Sequence, residues 1–344
     1  MKVLFYVDYP LAWARGGHAL QINRTARFLS ELGVSIEWLR HESDTPQDAE
    51  IVHYWGRPPS DIHWKLAAKR GMKLVISSMN PVGSARSRFA WFVRGNVRKL
   101  LPAVLGEGLS QQLGIGIYEA ADAVITLTHR ERDYHVTALG ARPEKCFVVP
   151  NGVDDIFLSR DIEPRPFDGL LCVGYVSLVK RQAEIARAAR AAGIRVRFVG
   201  GVQYDGDPYA EEFRKEVDGN RIEWLGEIAD RRELASLYKG ARGTVLASSY
   251  EAQGICLLES VAVGTPVLAP DLPGIRSFFG DAIEYASPAD RPGFRRRLEE
   301  FHAKCCAGLK QSFKVQTWRS VAEQVLRIYK MCLGTGHDQA LSQV

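Results

Sequence analysis

Six cysteines in 344 residues form no C-x-x-C pair, and several of Cys146, Cys172, Cys256, Cys305, Cys306 and Cys332 sit inside apolar runs. That pattern speaks against a structural metal site or a disulfide scaffold and for a reducing compartment. No apolar stretch reaches membrane-spanning length without a charge, and the N-terminal run 3–7 is too short for a signal-peptide core and meets Asp8 at once. A cytoplasmic protein is expected, soluble or peripheral on the inner face of the membrane. Charge of one sign is missing too: 45 Lys and Arg against 40 Asp and Glu leave a net +5, too slight to imply a nucleic-acid partner. The first strand is followed by Asp8-Tyr9-Pro10-Leu11 rather than by G-x-G-x-x-G, which speaks against a nicotinamide-dependent dehydrogenase.

With 46% hydrophobic residues and dispersed charge, the chain is long enough to bury two cores. Short apolar runs at 3–7, 35–39, 51–54, 74–77, 123–126 and 147–149 alternate with amphipathic stretches, among them a helix over 19–32. Ala19, Ile22, Ala26 and Leu29 share one face of that helix, and Gly33 stops it. The alternation predicts an α/β fold on a doubly wound parallel sheet. Turn residues and prolines cluster in Pro150-Asn151-Gly152-Val153-Asp154 and Pro164-Arg165-Pro166, as at a domain boundary. The pattern then restarts with runs at 170–173, 196–199, 222–224, 244–246 and 267–269 and helices at 182–192 and 232–239. A second sheet of the same class is expected. A helix over 291–307 and a last amphipathic one carrying Trp318, Val321, Val325 and Ile328 follow.

The segment with most chemistry is 248–269, SSYEAQGICLLESVAVGTPVLA. Thr244-Val245-Leu246 leads into it, and Ile255, Leu258 and Ala262 recur at helical spacing until Gly264 and Pro266 end the pattern. In such a strand-loop-helix unit the first N–H groups of the helix, near Gly254 and Ile255, lack an intrahelical partner and lie at the positive end of the dipole, where a phosphate fits. Gly254 lets it come close. Glu259 lies five residues after Gly254, on the order of 7 Å along a helix axis, about the offset between a pyrophosphate and its ribose. A carboxylate there can accept from both ribose hydroxyls. Glu251, on the other side of the phosphate position, is placed to accept from the hydroxyls of a sugar. Taken alone, the two also suit a solvated helix residue and a loop charge.

Four further features carry open readings. Gly16-Gly17, at a helix entry, can turn backbone N–H groups toward donor phosphates or an acceptor, or be a flexible turn. In GYVSLVKRQ, Lys180 and Arg181 precede the helix 182–192 and can neutralise a diphosphate leaving group, or be solvated. Asp205-Gly206-Asp207 before Pro208 is turn composition more than a cation site. In 84–105 the bases Arg86, Arg88, Arg94, Arg98 and Lys99 meet no acid, and Phe89, Phe92, Val93, Val97, Leu100 and Val104 form one helical face with Trp91 near its flank. This helix either rests on anionic lipid or an anionic acceptor, or packs into the core with its basic side in water.

In this order the segments resemble those of the family 4 retaining glycosyltransferases. The resemblance is carried by the E-x7-E of Glu251 and Glu259 with Gly264-Thr265-Pro266-Val267, by Gly16-Gly17, by Pro150 to Asp154, by Val173-Gly174 with Lys180, and by 318–329. It spans nearly the whole chain and implies GT-B architecture, two Rossmann-like doubly wound domains facing across a cleft. The implied division is an acceptor-side domain 1–152, a linker 153–165, a nucleotide-sugar-binding domain 166–312, a helix 313–331 returning to brace the first domain, and a flexible tail 332–344. The implied donor is a UDP- or GDP-sugar, with Glu259 on the ribose, Gly254, Ile255, Lys180 and Arg181 on the phosphates, Glu251 on the sugar, and Gly16 and Gly17 facing the phosphates from across. No essential metal is implied, because the helix dipole and Lys180 neutralise the charge. No side-chain base is implied either, since the leaving phosphate oxygen takes the acceptor proton on the same face. The acceptor would be a sugar, a lipid-linked or a small molecule, with a membrane-associated glycolipid or polysaccharide precursor in keeping with 84–105.

Two departures stand out. Tyr175 replaces the Arg usual shortly after the glycine, and the loop after 74–77 reads Ser78-Met79-Asn80, without the His that related enzymes place on the donor sugar. His53 and His129 lie near other strand ends with no motif to promote them. The departures keep open a non-catalytic nucleotide-sugar-binding subunit; a GT-B epimerase or phosphorylase is the other alternative.

Overall fold

The computed structural model describes residues 1–11, 16–40, 47–58, 60–79, 81–287 and 289–335. The middle of the first loop, Asn80 and most of the C-terminal tail lie outside the described residues.

Two six-stranded sheets carry the fold. The first has β1 (Lys2–Tyr6), β2 (Ser35–Trp38), β3 (Ile51–Trp55), β4 (Lys73–Ser77), β5 (Ala123–Thr126) and β6 (Cys146–Val148) in the order β2-β1-β3-β4-β5-β6. The second has β7 (Phe167–Val173), β8 (Val196–Val199), β9 (Ile222–Trp224), β10 (Ala241–Val245), β11 (Val267–Pro270) and β12 (Glu284–Ala286) in the order β12-β11-β10-β7-β8-β9. Adjacent strands pair in parallel throughout. This is the α/β class expected from the alternation of apolar runs. β12 had no such signal: it is a three-residue edge strand that opens on a glutamate.

Apolar runs rather than strict alternation mark these strands because both faces of a parallel sheet are covered. Successive residues of β7 enter opposite layers. Leu170 and Cys172 pack with Val196, Phe198 and Val245, and Leu171 packs with Val199, Leu246 and Val267. In the first sheet every residue of β3 is buried.

Packing divides the chain into two units. The first holds the first sheet and the helix Trp318–Cys332, and the second holds the second sheet from Gly152 to Thr317 together with Gly16 and Gly17. In the first unit the C-terminal helix buries Trp318, Val321, Val325, Ile328 and Tyr329. Tyr329 Oη lies 2.5 Å from Nδ1 of His53, whose Nε2 is 2.8 Å from Ser77 Oγ. Burial lowers the His53 pKa to about 3, so this imidazole is a neutral core group. The exposed His129 begins the short helix His129–Tyr134.

The helix Arg88–Gln112 departs from the core-packed reading of 84–105. It packs on its own unit through Trp91, Gly95 and Arg98. Trp91 is 2% exposed, and its Nε1 donates to Gly83 O at 3.1 Å. A Cβ on Gly95 would stand 2.2 Å from Thr137 O, so only glycine permits this approach. Arg98 pairs with Glu119 at 3.2 Å. The apolar stripe faces the other way, with Phe89 76%, Phe92 61%, Leu100 65% and Val104 79% exposed. The core-packed reading is therefore corrected, and Trp91 is an anchor rather than a flanking residue. Gly106, at φ 74°, interrupts the helix after Pro102. Among the described residues no helix is long and apolar enough to cross a membrane.

Candidate functional site

From β7 the chain runs outward to β8 and β9, then crosses back to lay β10 on the other side of β7. In an open parallel sheet, ligands bind outside the carboxyl ends of the two strands at which the order reverses. Here those ends lead into the loop that carries Lys180 and the loop that carries Glu251. Ser249 N donates to Val179 O at 2.8 Å and ties the loops together. Lys180 Nζ and Glu251 Oε1 form an ion pair between them. Burial is the largest single influence on Lys180 and would lower its pKa, but the charge and hydrogen bond of Glu251, with the neighbouring Cys256 and Cys172, together outweigh it and hold the group above the ordinary lysine value. Lys180 is therefore a cation at the reversal point.

The Lys180 loop is built by a residue the sequence reading passed over. Gln182 is buried; its Oε1 accepts from Ser177 N at 3.2 Å, and its Nε2 donates to Tyr175 O at 2.7 Å. Arg181, expected beside Lys180 on the phosphates, is turned to Glu184 instead, with Nε 3.3 Å from Oε1. Its backbone has φ 59°, and among the described residues no other non-glycine has positive φ. Such a conformation is costly for a bulky residue. Tyr175, at the usual Arg position, donates to Glu227 at 2.9 Å.

Gly254 caps the helix Ile255–Ala262 with φ 75°, and a Cβ there would come within 3.0 Å of Leu257 Cδ1. Leu257 N and Leu258 N both donate to Gly254 O. The N–H groups of Ile255 and Cys256 open the helix, where an anion finds both donors and dipole. A Cβ on Gly17 would lie 3.4 Å from Ile255 Cδ1.

Glu259 is not a solvated helix residue: it is 3% exposed. Its Oε1 is paired with Arg231, and its Oε2 accepts from Tyr238 Oη at 3.1 Å. Arg231 also pairs with Asp154 at 2.9 Å and lies over the Phe157 ring at 4.7 Å. Burial raises the Glu259 pKa, while Arg231, by charge and by hydrogen bond, and Tyr238 oppose the rise. Arg231 went unnoticed in the sequence. The signal available was a cation at the first position of a helix, where the dipole disfavours it.

In the first unit, Ser78 follows β4 at the place where a His was sought. It is buried between His135 Nε2 at 2.8 Å and Tyr118 Oη at 3.1 Å. Asp207 caps the helix Pro208–Arg214 by accepting from Tyr209 N and Ala210 N, which is the turn role its composition suggested. Among the described residues no three His, Cys, Asp or Glu side chains group as a metal site.

Residues 22–156 match the family described as Glycosyltransferase Family 4, and residues 170–304 match Glycosyl transferases group 1. A D-inositol 3-phosphate glycosyltransferase of Kineococcus radiotolerans is 26% identical over 316 residues, covering 81% of this chain and 70% of the relative. An alpha-maltose-1-phosphate synthase of Mycolicibacterium smegmatis is 27% identical over 250 residues, covering 62% and 64% respectively. Among solved structures, sucrose-phosphate synthase from Thermosynechococcus elongatus superposes with TM-score 0.63 at 17% identity over 97% of this chain and 99% of the other. The Anabaena protein HepE, in complex with UDP and glucose, superposes with TM-score 0.58 at 16% identity over 95% and 98%. The matched segments and the paired parallel sheets together make this chain a member of glycosyltransferase family 4, a glycosyltransferase of GT-B architecture.

Proposed function

We propose that this glycosyltransferase moves a sugar, with retention, from a UDP- or GDP-sugar to an acceptor held at a membrane surface, in the cytoplasm and without an essential metal. The observation that carries the reading is the Lys180–Glu251 pair at the reversal of the sheet order, beside the helix start at Gly254. The donor diphosphate would take the Ile255 and Cys256 N–H groups and draw on Lys180, while Glu251 accepts from the sugar hydroxyls. In the chemical step the bond from the anomeric carbon to the phosphate oxygen breaks and the bond to the acceptor oxygen forms on the same face. The acceptor proton passes to the leaving phosphate oxygen. Charge developing on that oxygen is what Lys180 and the helix dipole offset.

The test is thermal stabilisation by UDP, GDP, ADP and their common sugar conjugates, with free nucleotide assayed on the same samples and in chelator. Stabilisation by one nucleotide, lost in Glu259→Gln, with slow release from one conjugate, is the expected result. Binding without release in the presence of any acceptor would favour a supporting subunit, which Tyr175 and the buried Ser78 make the second reading. No stabilisation at all would overturn the site.

The exposed apolar stripe, flanked by Arg88, Arg94 and Lys99, supports a lipid-linked acceptor. The inositol-phosphate and maltose-phosphate relatives favour a small phosphorylated one. The first is tested by sedimentation with phosphatidylglycerol liposomes at low salt. Phe89→Ser with Phe92→Ser is expected to weaken it at least about tenfold, since a buried Phe contributes about 1.5–3 kcal/mol. Equal sedimentation of the variant and the parent would remove the membrane from the proposal.

A further inference from the structure

We propose that Arg231 is a positioning residue that keeps Glu259 ionised and correctly turned to hold the ribose of the donor. The role rests on the nucleotide reading above and extends it to a residue outside the E-x7-E pattern.

An ionised carboxylate offers about four acceptor positions, two on each oxygen. Arg231 occupies one on Oε1 of Glu259, and Tyr238 Oη occupies one on Oε2. One position is left on each oxygen, which matches the two donors of a ribose cis-diol. With both oxygens already engaged, the plane of the carboxylate is set before any ligand arrives. Arg231 is itself held in place, by Asp154 at 2.9 Å and by the face of the buried Phe157 ring at 4.7 Å. Asp154 belongs to the Pro150 to Asp154 turn, so a segment with no direct claim on a ligand orients one that has.

The charge balance decides which partner matters. Among the described residues, four titratable or charged groups act on Glu259: Arg231 and Tyr238 from the helix Arg231–Gly240, Asp154 from the turn, and Cys256 on its own helix. Arg231 is the one cation among these four. A buried carboxylate deprived of the cation paired with it takes up a proton more readily. Once protonated, it donates where it should accept and loses capacity for the diol. Tyr238 cannot replace Arg231, because a neutral hydroxyl gives a hydrogen bond but no charge.

The sign follows. Without Arg231 the Glu259 pKa moves up, so ribose binding survives at alkaline pH and is lost as pH falls through the raised value. A packing role alone would weaken binding by the same factor at every pH. UDP and GDP affinities of the full chain would be measured by calorimetry from about pH 5.5 to about pH 8.5 for the wild type, Arg231→Met, Arg231→Lys and Glu259→Gln. Values are taken relative to wild type, so that titration of the nucleotide phosphate cancels. Arg231→Met is expected within about threefold of wild type at the alkaline end and to lose up to about tenfold per pH unit below its new pKa. Arg231→Lys is expected to restore the wild-type profile, and Glu259→Gln to be weak and flat. If Arg231→Met does not fold, Arg231→Gln carries the same series. A ratio to wild type that stays constant with pH would overturn the positioning role while leaving the nucleotide reading intact. Wild-type affinity in Glu259→Gln would instead overturn the ribose contact, and this inference with it.

Discussion

Glu251→Ala is expected to lower turnover by about 10²–10³-fold, the usual cost of removing one preorganised polar group from a transition-state contact. Nucleotide affinity should move the other way. In the free protein Glu251 holds the Lys180 ammonium, and its removal leaves that partly buried cation without its carboxylate, free for a diphosphate. UDP or GDP should therefore bind Glu251→Ala as tightly as the parent or more tightly. Glu259→Ala should mainly lose affinity, because the ribose contact is made in ground and transition state alike. Steady-state release kinetics with nucleotide titrations on both variants separate the roles. Equal losses of nucleotide affinity in the two would contradict this assignment.

The second large effect is on stability in acid. His53 and His135 are both fully buried in the first unit, and burial lowers their pKa values to about 3 and about 4 from 6.5. Each is neutral in the fold: Nδ1 of His135 donates to Glu131 O at 2.7 Å, and its Nε2 accepts from Ser78. The unfolded chain takes up their protons first. Their contribution is complete above about pH 6.5 and shrinks as pH falls from there toward the folded values. At about pH 5 each costs about 2 kcal/mol, on the order of 4 kcal/mol together. Urea unfolding at neutral pH and in mild acid measures the difference. His53→Gln combined with His135→Gln should flatten the dependence while lowering stability at neutral pH, and an unchanged acid slope in that variant would count against the account.

Much of the scaffold was legible before any coordinates. The runs at 35–39, 51–54, 123–126, 196–199 and 222–224 correspond to β2, β3, β5, β8 and β9 to within a residue at each end. The helix over 182–192 has the observed bounds, because Gly193 stops it at φ 71°. The acidic site was only partly legible. Gly254 and its helix start follow from local chemistry, whereas the partner of Arg181 does not: adjacency to Lys180 suggests a shared ligand, but a left-handed backbone delivers its guanidinium to Glu184. For 84–105 the periodicity identified an apolar face but not its surroundings. A glycine at position 95 and an indole at 91 let the opposite side approach the core more closely than the phenylalanines could.

By itself, then, the sequence determined two doubly wound parallel sheets and a glycine-capped helix start, since strand burial, helical period and capping are written in residues a few positions apart. Only the tertiary structure decided which charge meets which. Lys180 finds Glu251 across 71 residues, and Glu259 lies between Arg231, 28 residues away, and Tyr238, 21 residues away. Such pairs depend on where separate loops and helices end in space. A buried carboxylate has no preferred partner until the fold brings a cation within reach of it.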